Sequence, residues 1–187
     1  GPPIARAAEP VFPAGARVGL VPLEGLAAAK AFPGFESADQ TVKVMVAELP
    51  AGAYEEIETA AQAGSAAARP ESLVTAAGRA YFTVATAGDG AAAVRRYSMI
   101  LRGNQFSGYV AMQVPAAATE YSEAAVRRMF ATAVLRDVVP VEEQLGLMPF
   151  KITELADFKT VRTLAPGAVI LLADDDGSEG IEASPFM

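Results

Sequence analysis

Residues 79–114 read RAYFTVATAGDGAAAVRRYSMILRGNQFSGYVAMQV, and three runs inside this stretch decide the fold. The runs cover 79–86, 94–101 and 106–114, and each is rich in the β-branched and aromatic residues that are typical of strands. Gly88-Asp89-Gly90 separates the first two runs, and Gly103-Asn104 separates the last two. Such pairs supply the positive φ values that tight hairpins need. The stretch therefore predicts three consecutive antiparallel strands.

Alternate residues of the third run differ in polarity. One face of the predicted strand carries apolar side chains, from Phe106, Val110, Met112 and Val114. The other face carries more polar ones, from Gln105, Ser107, Tyr109 and Gln113. Antiparallel sheets often bury one face and leave the other wet, so the pattern predicts a half-exposed second face.

Upstream of this stretch, strands are predicted at 17–21, 31–35 and 41–49, followed by a helix. Tyr54, Ile57 and Ala61 recur at helical spacing, and Gly64 is a plausible helix stop. Residues 65–72 are dominated by Ala, Pro and Ser, so they are predicted to form an exposed, mobile connector.

Downstream, Ser122 is a suitable N-cap for a long amphipathic helix that Pro140 ends. Its apolar stripe follows the i, i+3, i+4 rule and consists of Val126, Met129, Phe130, Ala133, Val134 and Val138. Beyond Pro140 the sequence predicts a short helical turn at 142–144 and a hairpin formed by 158–164 and 168–173.

These elements predict an α/β (α+β) protein with an antiparallel sheet of about six strands, flanked by helices on both faces. The predicted organisation is an N-terminal tail over 1–16 and a core domain over 17–139. Residues 140–187 are predicted to form a C-terminal β extension packed on that core. The apolar Pro185-Phe186-Met187 resembles a strand that is cut short, so the native chain is expected to continue.

The chain contains no Cys and no His, which removes thiol and imidazole catalysis and nearly all zinc and copper ligand sets. Asp174-Asp175-Asp176-Gly177-Ser178-Glu179 departs from the spacing of a calcium loop and is interpreted as a solvated turn. No Ser-x-x-Lys pattern is present. Neighbouring acids, Glu142 with Glu143 or Glu36 with Asp39, are interpreted as solvated. We therefore expect no enzyme activity, no metal and no cofactor.

The net charge of −7 opposes a nucleic acid partner, because phosphate contacts need a basic surface. No apolar run approaches the roughly 18 residues that a transmembrane helix requires. Ala5-Arg6-Ala7 ahead of Ala8 has the small-x-small form that signal peptidase accepts. The sequence therefore predicts an exported, periplasmic or secreted chain that is soluble.

Basic residues are concentrated in one part of the chain. Residues 79–136 hold seven arginines against three acids, 7 − 3 = +4, so the remainder carries −7 − 4 = −11. Guanidinium groups suit recognition of carboxylate or phosphate, although surface arginines more often pair with the protein's own acids. The candidate contacts to a partner or an anion are Arg95, Arg96, Arg127 and Arg128.

The element order resembles the PsbP-like fold, which DcrB-like bacterial envelope proteins and a Ran-binding import factor share. Short motifs at 12–15 (FPAG) and 21–26 (VPLEGL) occupy positions similar to the Phe-x-x-Pro-x-Gly start of that family. The resemblance covers roughly residues 14–139. It implies a binding or assembly protein without shared catalytic residues, and the histidines of some plant members have no counterpart here.

The function expected from these observations is a periplasmic binding or assembly module with a protein partner in the envelope. A carrier with a small-ligand pocket between sheet and helix is the alternative, and a carboxylate-dependent hydrolase is the third reading. The sequence leaves the partner and the oligomeric state open.

Overall fold

The computed structural model describes residues 8–64 and 70–145. The helices of this part are α1 Gly52–Ala63, α2 Glu123–Ala131 and α3 Val141–Leu145, and a 3-10 turn lies at Gly90–Ala92. The strands are β1 Val18–Gly19, β2 Leu26–Ala28, β3 Gly34–Ser37, β4 Lys43–Leu49, β5 Glu71–Thr75, β6 Gly78–Ala87, β7 Val94–Arg102, β8 Ser107–Pro115 and β9 Val134–Leu135. A helix with the length and apolar character of a membrane span does not occur in these two ranges.

Seven strands form one antiparallel sheet in the order β2-β3-β4-β8-β7-β6-β5. The prediction of three consecutive hairpin strands is confirmed, because β6, β7 and β8 are direct neighbours in this sheet. The sheet has seven strands rather than about six. β1 and β9 form a separate two-stranded antiparallel pair.

Alternate residues of the central strands belong to two different apolar clusters. Val110 and Met112 of β8 pack in the larger cluster with Phe130 of α2. Tyr109 and Ala111 pack in the smaller one, which also contains α1 side chains, including Tyr54 and Ile57. Successive side chains of a strand point to opposite faces, so α1 and α2 each contribute to a different one of these clusters.

The prediction of a half-exposed second face is confirmed only at the two ends of the predicted strand, where Gln105 is exposed and Gln113 is partly buried. Between them, Ser107 and Tyr109 are fully buried. Ser107 Oγ accepts a hydrogen bond from the Tyr54 N–H (3.1 Å) and lies 3.0 Å from the Pro50 carbonyl oxygen, to which it can donate. The hydroxyl of Ser107 therefore forms its hydrogen bonds with the backbone at the start of α1 rather than with water.

α1 ends as predicted at Gly64, which adopts a left-handed conformation (φ 67°), and its N–H reaches the Ala60 carbonyl (3.1 Å). α2, in contrast, is shorter than predicted. Ser122 caps it by accepting from the Ala125 N–H, but the helix ends at Ala131.

The residues after α2 explain why the prediction of a longer helix is wrong. The Thr132 hydroxyl donates to the Met129 carbonyl (2.6 Å), which closes the last turn. Val134 and Leu135 are extended and pair with Gly19 and Val18, and Val138 is 75% exposed. The tertiary partner of β9 therefore overrides a helical apolar pattern.

The first predicted strands match the structure unevenly. β4 lies inside the predicted 41–49, whereas the strand predicted at 31–35 begins instead at Gly34. β2 has no counterpart among the predicted strands, and the strand predicted at 17–21 shortens to β1, outside the large sheet. Part of the predicted 65–72 connector belongs to β5, which pairs with β6.

The described ends of the chain are tied to each other. Val11 and Leu20 form an isolated antiparallel bridge, and the Gly15 N–H donates to Glu143 Oε1 (2.9 Å). Arg136 donates to both oxygens of Glu143 and to the Ala16 carbonyl (2.8 Å). The short helical turn predicted at 142–144 is confirmed as α3. The hairpin predicted at 158–173 and the acidic turn at 174–179 lie outside the described residues.

Candidate functional site

Arg95 and Arg127, two of the four candidate arginines, are engaged within the chain. Arg95 donates to the Tyr97 hydroxyl (3.1 Å) and to the carbonyl of Ala118 (2.8 Å). Arg127 forms ion pairs with Glu71 (2.8 Å) and Glu123 (3.0 Å), and its guanidinium carbon lies 4.6 Å from the centre of the Phe82 ring. Arg127 thus joins α2 to β5 and β6, whereas Arg95 joins β7 to the segment that precedes α2.

The other two candidates lie elsewhere. Arg96 follows Arg95 in β7, so its side chain belongs to the opposite face, where it is 9% exposed and is flanked by Ala85 and Gln113. Arg128 is exposed on α2. The four arginines therefore do not converge on one site, and their role in partner contact stays a prediction.

Stacking on aromatic rings accounts for much of the arginine content of the described residues. The guanidinium carbon of Arg17 lies 3.9 Å from the ring centre of Phe106, and that of Arg102 lies 4.7 Å from Tyr54. Arg136 covers Phe12 in the same way at 4.4 Å. Such contacts combine cation–π attraction with burial of the aliphatic stem. The sequence showed the excess of arginines but not these aromatic partners.

The carboxylates with shifted pKa values are poor candidates for general acids. Hydrogen bonds from Ser37 and Thr41 lower the pKa of Asp39, and hydrogen bonds from Arg136 and the Gly15 N–H lower that of Glu143. A general acid needs the opposite shift. Within 8–64 and 70–145, no group of three or more acidic side chains is placed to hold a metal ion.

A small polar group lies among the residues of the α1 side of the sheet. Thr83 of β6 and Ser98 of β7 are cross-strand neighbours and are 4% and 1% exposed. The Tyr109 hydroxyl lies 3.4 Å from Ser98 Oγ, whereas Thr83 Oγ1 is buried without a hydrogen-bond partner. A buried hydroxyl without a partner is unfavourable, and a polar ligand atom or a water would satisfy it.

Strand β5 forms one edge of the large sheet, and its outer side pairs with no strand of the described ranges. Glu71, Ser72 and Val74 are exposed, with Val74 75% exposed, while Leu73 packs partly on the larger cluster. Between Ser72 and Thr75 there is neither a charged residue nor a proline. The opposite edge, β2, has only three residues. Within 8–64 and 70–145, β5 is therefore the longer open edge.

Several contacts hold this edge in place. The Thr75 hydroxyl donates to the Gly78 carbonyl (2.7 Å) and accepts from the Ala77 N–H (3.1 Å), which closes the turn to β6. The Ala76 N–H donates to the Ala131 carbonyl at the end of α2 (2.9 Å). With the Arg127–Glu71 ion pair, these bonds present β5 as a preformed strand.

Sequence reasoning missed this edge because the Ala-rich connector masks its start. The signal that could have identified β5 is the pair of β-branched residues Val74 and Thr75, which lies next to Leu73 and shortly before Gly78. Pairing of these residues with β6 completes the seventh strand.

No family model and no curated protein matches the chain. A solved structure from Bacteroides thetaiotaomicron VPI-5482, at 1.50 Å resolution, is similar with a TM-score of 0.49 and 11% identity. The match covers 82% of this chain and 56% of the other, so the chain spans little more than half the length of that protein.

Proposed function

We propose that the protein is a binding or assembly module of the bacterial envelope that acts through protein–protein contacts, without catalysis or a cofactor. The observation that carries this proposal is the open edge strand β5. An edge strand presents unpaired backbone N–H and C=O groups to which another chain can add a strand. Natural sheets usually block such edges with charge, proline or a covering element.

β5 has few of these blocking devices. Its one charged residue, Glu71, is paired with Arg127 of the same chain, and the four residues that follow it are uncharged. The exposed Val74 adds an apolar contact beside the backbone groups. Backbone pairing would give affinity to such a contact, and the side chains beside it would give selectivity.

The proposed architecture is a PsbP-like sandwich with helices on both faces of the sheet. It is supported by the division of α1 and α2 side chains between the two apolar clusters. The proposed location is the periplasm or the cell exterior, on the basis of the Ala5-Arg6-Ala7 motif. The acidic net charge favours a protein over a nucleic acid as the partner.

Photo-crosslinking in intact cells tests the proposal. p-Benzoylphenylalanine in place of Val74 is expected to capture a protein, because the reactive ring would lie at the open edge. The matched control carries the same group in place of Val138, which is also 75% exposed but follows β9. Equal capture from both positions, or none from position 74, would contradict a binding role for this edge.

The buried Thr83 hydroxyl favours one alternative, a carrier of a small polar ligand on the α1 side of the sheet. Under this alternative, native mass spectrometry of the purified protein shows a bound molecule. The near-isosteric Thr83→Val variant lacks the hydroxyl and loses that molecule. A spectrum with the bare chain alone would count against the carrier.

A further inference from the structure

We propose that the partner of β5 is a second copy of this chain, which adds its own β5 in antiparallel orientation about a two-fold axis at Leu73. This inference rests on the proposed function, since it names the partner of the same edge. The two seven-stranded sheets would then join into one continuous sheet across the dimer.

The sequence of β5 is complementary to itself in this arrangement. The two-fold axis places Glu71 opposite Thr75, Ser72 opposite Val74, and Leu73 opposite the Leu73 of the second copy. A five-residue strand overlaps itself completely only in this register. Like charges directly opposite each other destabilise a strand pair, and here the two glutamates lie at opposite ends.

The side chains also suit a copy of the same edge. Successive residues alternate between the faces, so Leu73 would lie beside the partner's Leu73 on the side of the larger apolar cluster. On the other side, Val74 would be covered in part by the partner's Ser72. The exposed valine and the partly buried leucine would both lose contact with water, which favours association.

Glu71 does not oppose this pairing through its charge. Its carboxylate already lies 2.8 Å from Arg127, so the ends of the paired strands would not carry isolated negative charges. The contact is nevertheless short. Stable interfaces bury more than about 1,000 Å² in total, so pairing of five-residue strands predicts a weak dimer that forms at high protein concentration.

Cysteine crosslinking tests the register, because the chain has no cysteine of its own. Leu73→Cys places two thiols across the two-fold axis, and opposite residues of antiparallel strands have Cα separations that suit a disulfide. Under mild oxidation of the full chain, we expect a covalent dimer to form at least about tenfold faster than with Val138→Cys, since pairing raises the local thiol concentration.

Two exposed positions provide a second measurement that does not disturb the packing of Leu73. Ser72→Cys and Val74→Cys are expected to crosslink to each other when the two variants are mixed, and more slowly when each is oxidised alone. Equal rates for the mixture and the separate variants would overturn the proposed register. A rate for Leu73→Cys no higher than that of Val138→Cys would overturn the dimer.

Sedimentation equilibrium tests the same contact without crosslinking. The apparent mass of the unmodified chain is expected to rise from 19.3 kDa toward twice that value with concentration. Val74→Lys places a charge on the edge and is expected to abolish the rise, whereas Val138→Lys leaves it intact. A mass that stays at the monomer value at all concentrations would refute the dimer.

The in-cell crosslink at position 74 separates this inference from the proposed function. A product at twice the chain mass supports both. A product with a different protein, together with no Leu73→Cys dimer, refutes the second copy as partner and supports the binding role. No product at position 74 and no Leu73→Cys dimer would refute both.

Discussion

Ser107 links two elements through one hydroxyl group. α1 begins after Ala51, which has no side chain that can cap the helix, and Ser107 of β8 accepts the hydrogen bond from Tyr54 that a local N-cap would accept. The buried hydroxyl therefore acts as the cap of a helix more than fifty residues away in the chain. Its position is fixed by the sheet, so β8 stabilises the start of α1 at this place.

Ser107→Ala is expected to lower the free energy of unfolding by about 1–2 kcal/mol, because the helix loses its cap and buried backbone groups lose a partner. Urea unfolding measures the change. Ser122→Ala, which removes the exposed local cap of α2, serves as the comparison and is expected to cost about 1 kcal/mol or less. An unchanged unfolding midpoint for Ser107→Ala would refute the capping role.

β1 and β9 form a small separate sheet that rests on β8. A Cβ atom on Gly108 would lie 2.9 Å from Leu135 Cδ2 and 3.2 Å from Val18 Cγ2, so this contact depends on the missing side chain. The pattern of β9 could not be recognised in the sequence, because Val134 continues a helical apolar stripe. The extended conformation of β9 is stabilised by its pairing with β1.

Gly108→Ala is expected to destabilise the protein by about 1–3 kcal/mol, because the added methyl group forces the small sheet away from β8. Gly52→Ala is the control, since a Cβ at that position meets nothing within 4 Å. It is expected to be neutral or to stabilise α1 by up to about 1 kcal/mol. Thermal unfolding compares the two, and equal melting temperatures would contradict the close contact at Gly108.

An element can be predicted from the sequence when the residues that determine it lie close to it in the chain. The β6–β7–β8 strands and the end of α1 at Gly64 depend on nearby turn residues, so the sequence predicts them well. The candidate edge β5 and the burial of Ser107 depend on partners far along the chain. The spacing of apolar and polar residues within one segment does not show which distant segment will pack against it.

At the scale of the whole molecule, Glu143 joins both described ends of the chain. It accepts from the Gly15 N–H and from Arg136, whose guanidinium also covers Phe12. The contact between Gly15 and Glu143 spans 128 residues. One carboxylate therefore closes a loop that contains both apolar clusters and the whole seven-stranded sheet.

These hydrogen bonds lower the pKa of Glu143 in the folded state, so the carboxylate contributes stability at neutral pH. That contribution is expected to fall as the pH drops from the ordinary glutamate pKa through the lowered one. Glu143→Gln is expected to have a lower melting temperature than the unmodified protein at pH 7. This difference in melting temperature is expected to become smaller as the pH is lowered. Glu142→Gln, on the exposed neighbour, is the control. A difference in melting temperature that does not change with pH would contradict the contribution of the charged Glu143 carboxylate to stability.

The strand order has a consequence for how the chain reaches its fold. β4 obtains its inner neighbour, and α1 its cap, only from β8, which begins at Ser107. While a growing polypeptide is still shorter than this, β4 and α1 lack these partners. Non-local pairing of this kind is slow to form. We therefore expect the N-terminal half to stay unstructured during synthesis and to fold in one late, cooperative step.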